Sequence, residues 1–333
     1  MQIITITERA EDIAFGTQVA EKLGLLHVNV DSAPELKRIL TEGLPNPDGS
    51  KGKVKLDPVF LWDIDHKEAI NVGHPLSIGR IGNELQNFGR SNRVILVSSQ
   101  ALNKTPFMFN LNVFSHHIAR SPEDSRAIEF FTRIFPAINK PKGFTFAQIL
   151  PPGAMVEKWK LTQSTDRTTA LDKVQQFLSA TKMNPQLATL VVQGTDELLM
   201  NAIFDAPMQG GGQYYRRKTP RNSAFPLNAK EGVDVAIGQT DDVFLISVTD
   251  HFGSVKKTSL FGSIRRDYEK TDYTPPDQDL GAGLGVYGMM QSGMSLAFIV
   301  DPMIQTEVIL MVPKEKSMKE FRSTFRFFYM LGV

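Results

Sequence analysis

DELLMNAIFDA, residues 196–206, decides how the second half of the chain is read. It continues a helical pattern that Asn184-Pro185 opens, with proline at the first helical position. Glu197 and Asn201 are four apart, so they project from one helical face, and Asp205 follows one turn later. Leu198, Leu199, Ala202 and Ile203 between them are expected to face a core. Asparagine has poor helix propensity in mid-helix, so Asn201 is read as there for a purpose. Its side-chain oxygen is a hard ligand suited to magnesium. Glu197 could orient or deprotonate a nucleophile beside it. A surface glutamate and a solvated asparagine on an amphipathic helix would give the same pattern. Upstream, Val156 to Leu161 reads as a strand, and Asp166 or Ser164 can cap a helix that runs through Leu178.

Two further stretches carry chemistry. VFLISVTDHFG, residues 243–253, is an apolar strand ending in Asp250, with a turn at Gly253. A carboxylate at the end of a buried strand can accept a hydrogen bond from an exocyclic amine such as that of adenine. A turn-forming aspartate is the plainer alternative. DLGAGLGVYGM, residues 279–289, places Gly281, Gly283 and Gly285 ahead of a helix. Such glycines let a backbone approach a ligand closely, and free N–H groups at a helix start favour phosphate. A Rossmann fingerprint would need a strand before it, but the polar KTDYTPPDQD precedes it, and no Walker A loop is present.

The order of these pieces is an ExxxN helix, a strand ending in Asp-x-x-Gly, a GxGxG turn, and Thr306 in the closing strand TEVILMV. It resembles the N-box and glycine boxes of the GHKL ATPases, the superfamily of histidine kinases and anti-sigma-factor serine kinases. The resemblance covers about 160 residues. It implies an α+β domain, a mixed sheet backed by helices, with ATP held beneath a lid at about 254–279. By resemblance Asn201 coordinates magnesium, Glu197 acts as base or water positioner, and Asp250 reads the adenine. Gly281, Gly283 and Gly285 line the phosphate side, and Thr306 supports the adenine pocket. Asp205 and Gly253 are grouped with these cofactor-binding residues. Lys256, Lys257, Arg265 and Arg266 of the lid are candidates to neutralise phosphate charge. The chain departs from the family at the first glycine box, where Phe252 and Ser254 stand at the two glycine positions. The insert MQGGGQYYRRKTPRN after the N-box is also unusual, and its Arg216, Arg217 and Arg221 are either phosphate ligands or an exposed basic loop.

A histidine kinase carries its phosphoacceptor histidine just upstream of the ATPase domain. No histidine lies between residues 118 and 250 here. The strand–helix–helix entry instead resembles the anti-sigma-factor serine kinases, which bind a protein partner and phosphorylate a serine on an antagonist. The expected function is an ATP- and magnesium-dependent protein serine kinase or partner-switching regulator. Two alternatives stay open. One is a signalling scaffold that holds ATP without turnover. The other is a histidine-kinase-like protein that acts on another chain's histidine or receives phosphate itself.

Residues 1–135 alternate short apolar runs with helical stretches. Ile3–Thr7, Leu25–Val30, Val59–Trp62, Val94–Val97 and Val113–Ile118 read as five strands, with a last helix from Pro122 to Phe135 capped by Ser121. Strands apolar on both faces suit a parallel sheet covered on each side, so a flavodoxin-like doubly wound α/β fold is expected. The plan resembles the receiver domain of two-component response regulators. Asp63 and Asp65 in WDID would then be the candidate phosphoacceptors, and Ser98 or Ser99 would end the fourth strand. The resemblance is degenerate. ITITER ends the first strand with Glu8 in place of an acidic pair, and HHIAR offers Arg120 and no Lys-Pro. A pseudo-receiver that senses or docks is expected.

Residues 136–154, rich in proline and glycine, read as the linker to a second domain at 155–333. Asn46 to Lys55 reads as an exposed loop. In the tail MKEFRSTFRFFYML, Phe321, Phe325, Phe328 and Tyr329 fall at helical spacing, for core packing or for a partner or homodimer surface. Lys plus Arg number 37 against 36 Asp plus Glu, so no basic excess points to nucleic acid. Cysteine is absent, which excludes disulfides and thiolate metal sites. No apolar stretch approaches the ~20 residues that span a bilayer. With no secretory signal pattern at the N-terminus, a soluble cytoplasmic protein is expected.

Overall fold

A computed structural model describes residues 1–45, 53–54, 56–65, 73–89, 93–100, 108, 114–119, 125–138, 144–150, 152–181, 183–210, 212–240, 242–269, 283–324 and 326–332. The expectations for Gly281, Arg120, the Ser121 cap and most of the Asn46–Lys55 loop lie outside the described residues. The chain divides into two compact units, Met1–Asn139 with Phe325–Phe328, and Lys140–Thr324 with Tyr329–Val333.

The first unit runs β1 (Gln2–Ile6), α1 (Ala10–Leu23), β2 (Leu26–Val30), α2 (Ala33–Glu42), the short antiparallel pair β3 (Leu44–Pro45) and β4 (Lys53–Val54), β5 (Pro58–Asp63), α3 (Ile78–Phe88), β6 (Val94–Ser98), β7 (His116–Ala119) and α4 (Ser125–Ile138). Its five main strands are parallel and pair in the order β2-β1-β5-β6-β7. Every residue of β1, β5, β6 and β7 is buried. Such strands must be apolar on both faces, which is why QIITI and VILVS show no alternation. The sequence breaks the last helix at Pro136, but α4 passes through it to Ile138. A proline this close to a helix end forfeits one hydrogen bond and leaves little helix beyond it to misdirect.

The second unit runs α5 (Phe146–Ile149), β8 (Met155–Leu161), α6 (Asp166–Ser179), α7 (Pro185–Met200), a π-helical turn (Asn201–Asp205), β9 (Val233–Gln239), β10 (Val243–Asp250), α8 (Lys257–Glu269), α9 (Gly283–Ser292), β11 (Ser295–Asp301), β12 (Gln305–Pro313) and α10 (Met318–Ser323). Here β11-β12-β10-β9-β8 pair antiparallel throughout. Strand pairing across the chain is therefore mixed, as an α/β protein with large sheets allows. α7 packs on β10 and β12 and touches α6 and α9. Its start is fixed as the sequence indicates, with the Asn184 side chain accepting from Gln186 N at 2.9 Å and proline in the first turn.

Three expectations change. The stretch expected as a linker contributes Phe144, Phe146 and Ile149 to the core of the second unit. The first half of the expected lid is the helix α8, and 270–279 lie outside the described residues. The aromatic tail is helical only over α10. It then becomes β13 (Arg326–Leu331), with five consecutive buried residues. Aromatic side chains on successive residues are accommodated by a strand buried on both faces, whereas a helix would turn some of them to solvent.

Candidate functional site

The local chain path at the end of α7 builds the site. After Met200 the helix widens into a single π-helical turn, closed by Ala206 N donating to Asn201 O at 2.8 Å. π-bulges re-aim the side chains around them and recur at functional sites. Here Asn201 and Asp205 both line one cavity of about 230 Å³. Across it, the same cavity is lined by Asp250 at the end of β10 and Thr306 on β12. Those two residues are direct partners in the antiparallel register. Four residues chosen from distant parts of the sequence thus meet in one space.

Asp250 is almost fully buried. Its Oδ1 accepts from Phe252 N at 2.8 Å and Gly253 N at 3.2 Å. Burial pushes its carboxyl up to about 6, against the pull of those two N–H groups and of Thr306. The buried Thr306 hydroxyl has no well-formed hydrogen bond, its polar neighbour being the Asp250 carboxylate. Val248, Val308 and Phe298 supply apolar wall beside this polar pair.

Glu197 does not line the cavity. Its carboxylate lies against Gly285 in the first turn of α9, where a Cβ would fall 1.8 Å from Glu197 Cδ. Burial raises the Glu197 carboxyl, and the Asp205 charge adds to it, while the Asn201 hydrogen bond and Arg221 oppose it. Gly283 is the first residue of α9. Gly253 also stands off the cavity. It has a φ of 57° and faces the β11–β12 turn, where a Cβ would meet Asp301 O at 2.1 Å. Its role at the site is indirect, through the N–H it gives to Asp250.

Tyr214 and Arg217, in the stretch 208–222, form part of the wall, which the sequence left open. The three arginines of that stretch separate. Arg216 Nη2 bonds Glu231 at 2.8 Å, and Arg221 Nη2 holds both Asp205 oxygens at 2.9 and 3.1 Å. Arg217 stacks on the Tyr214 ring at 3.4 Å, and both line the cavity. From the expected lid, Lys256, Ser259 and Ser263 line it too. Burial lowers the neighbouring Lys257 to about 8. Nothing in the sequence marked Tyr214 or the π-helical turn.

In the first unit, Asp63 and Asp65 do come together, but around an arginine. Arg9 Nη1 donates to Asp65 Oδ2 at 2.9 Å, lies 3.7 Å from Asp63 Oδ1, and its Nη2 reaches Glu11 at 2.5 Å. Asp63 also accepts from Thr7 Oγ1 at 2.9 Å, and Asp65 from Ser98 Oγ at 2.5 Å and from Ser99 N. Burial pushes Asp63 up. Burial also pushes Asp65 up, but hydrogen bonds from Ser98, Ser99 and Arg9 outweigh it and the net direction is down. The cation facing these carboxylates is a side chain of the chain itself. Sequence reading weighed Glu8 in ITITER and passed over the arginine beside it.

Among the described residues, no group of three or more His, Asp and Glu could hold a metal ion. No described helix is long and apolar enough to cross a membrane. No protein-family model matches the chain, and no curated protein is significantly similar to it.

Proposed function

We propose that the second unit binds ATP with magnesium, and that the chain is a signal-transduction regulator of the anti-sigma-factor serine-kinase type. The observation that carries this reading is the convergence of Asn201, Asp205, Asp250 and Thr306 on one cavity. The buried Asp250 carboxylate is a natural acceptor for the exocyclic amine of adenine. The Thr306 hydroxyl beside it needs a partner that a ring nitrogen or a bridging water would supply. Ligand pockets run from about 300 to 1,000 Å³, so a cavity of about 230 Å³ suits the base, with the phosphates beyond it. The first turn of α9, which begins at Gly283, would offer N–H groups to that phosphate chain.

Asn201 would give magnesium one oxygen. Magnesium keeps several waters and shares phosphate oxygens, so one protein ligand is compatible with it. When bound, it would neutralise charge on the transferring phosphoryl group. In the kinase reading Glu197 takes the proton of a partner's serine hydroxyl, and its raised pKa favours that task. A second reading, ATP held as a conformational ligand without turnover, is favoured by the position of Glu197 against Gly285 and outside the cavity lining.

The first unit is proposed as a receiver-like input domain. Its five-strand order is that of flavodoxin-like sheets. Arg9 against Asp65 and Asp63 supports a domain that docks or senses without taking up phosphate. A cytoplasmic location and a protein partner belong to the same proposal. Release of ADP, or transfer of label from ATP to a partner, separates kinase from scaffold. Glu197→Gln abolishes either signal in the kinase case and leaves nucleotide affinity unchanged in the scaffold case.

A further inference from the structure

The π-helical turn that begins with Asn201 is braced from outside the helix, and Arg221 reaches both of its ends. Arg221 Nη2 donates to Asp205 Oδ1 at 2.9 Å and to Oδ2 at 3.1 Å, at the last residue of the turn. Arg221 Nη1 donates to Met200 O at 3.5 Å, just before its first residue. Between these points the guanidinium carbon lies 5.0 Å from the centre of the Phe204 ring, which is buried edge-on to Phe225. A π-helical turn is a rare departure from the α-helix, so contacts beyond the local sequence must select it. The ion pair is such a contact. Asp205 is buried, and a buried carboxylate stripped of its counter-charge is costly. The pair therefore ties the end of the turn to a residue 16 positions on. Asn201 lines the cavity, whereas Arg221 stands outside its lining. Arg221 can thus act on a ligand there only through the turn it holds.

We propose that Arg221 is the positioning residue that aims the Asn201 side-chain oxygen at magnesium, by bracing the π-helical turn between Met200 and Asp205. The proposal rests on the nucleotide reading above. It assigns the metal-linked part of the affinity to a residue that touches neither the nucleotide nor the metal.

The test is titration calorimetry of the full chain with ATP, in magnesium and in chelator, for the wild type, Arg221→Ala, Arg221→Lys and the double variant Arg221→Ala with Asp205→Asn. The gain in ATP affinity on adding magnesium is expected to fall about tenfold in Arg221→Ala, or to vanish where the wild-type gain is smaller, with affinity in chelator within about twofold of wild type. Arg221→Lys keeps the charge without the planar fork and recovers only part of the gain. The double variant removes the uncompensated buried carboxylate, so it decides by the same ratio should Arg221→Ala not fold. It too is expected to lack the magnesium gain. A gain unchanged in Arg221→Ala overturns the proposal and leaves the nucleotide reading standing. An equal fall in magnesium and in chelator also overturns it, since Arg221 would then hold the fold or touch the phosphates. A wild type that binds ATP with no magnesium gain, or not at all, sinks the underlying reading and the proposal together.

Discussion

The carboxylate of Glu197 on α7 occupies the space that a side chain at Gly285 on α9 would need, with Cδ 1.8 Å from the ideal Cβ position. The glycine is therefore explained by a neighbouring side chain, whatever ligand approaches. The obstructing atoms are the far end of a flexible side chain, so Gly285→Ala should displace Glu197 and leave the fold in place. Its cost is expected to be about 1 kcal/mol, at the low end for overpacking. In a Glu197→Ala background the same change should cost close to nothing, a coupling that thermal melts of the four proteins measure. Equal cost in both backgrounds would contradict the contact.

Gly253 presents the opposite case. Its φ of 57° and the backbone atoms of Asp301, Met303 and Ile304 around its missing Cβ cannot yield. Gly253→Ala is expected to lose about 2 kcal/mol or more. Gly262→Ala on α8 meets nothing within 4 Å and should be neutral or mildly stabilising. Chemical denaturation of the two variants ranks them, and a harmless Gly253→Ala would contradict the turn.

Asp250 sets a pH dependence. Its folded pKa of about 6 lies above the ordinary 3.8. Folding therefore favours its protonated form, and that contribution is full below about 3.8 and lost as pH rises through about 6. Asp250→Asn should be more stable than wild type at pH 8, by at most about 3 kcal/mol, with the gap closing towards pH 4. Ligand binding has the opposite trend. The acceptor for an adenine amine is the carboxylate, so affinity should fall as pH drops through about 6. Melting curves and titrations at pH 5 and pH 8 check both signs, and affinity that rises on acidification would remove Asp250 from the adenine role.

Arg9 answers for the first unit. Its guanidinium balances Asp63, Asp65 and Glu11 at a partly buried position. Arg9→Ala is expected to lose about 1–3 kcal/mol from the uncompensated acids, read by chemical denaturation. The wild type should take no label from an acyl phosphate at Asp63 or Asp65. Labelling of wild type, or an Arg9→Ala variant as stable as wild type, would contradict Arg9 as the counter-ion of these acids.

Legibility followed the physics of each element. The parallel strands of the first unit could be read because burial on both faces forces continuous apolar runs, as in VFLW and VILV. Asn201 could be read because asparagine in mid-helix breaks a local preference, and Asp250 because it ends a mostly apolar strand beside a turn. The π-helical turn could not, since NAIFD fits a regular helix equally well and the widening is decided by tertiary packing. β13 was hidden for a related reason. Phe325, Phe328 and Tyr329 satisfy helical spacing, and only burial on both faces selects the strand. Arg9 was missed because an ion pair with residues 56 positions away leaves no local trace.

The most direct test of the nucleotide site is ATP titration into the full chain, with and without magnesium, for the wild type, Asn201→Ala and Asp250→Ala. Wild-type binding should strengthen with magnesium. Asn201→Ala should lose that magnesium increment, and Asp250→Ala should weaken binding about tenfold or more in both conditions. Binding by wild type that neither substitution alters would mean that these side chains face no purine nucleotide.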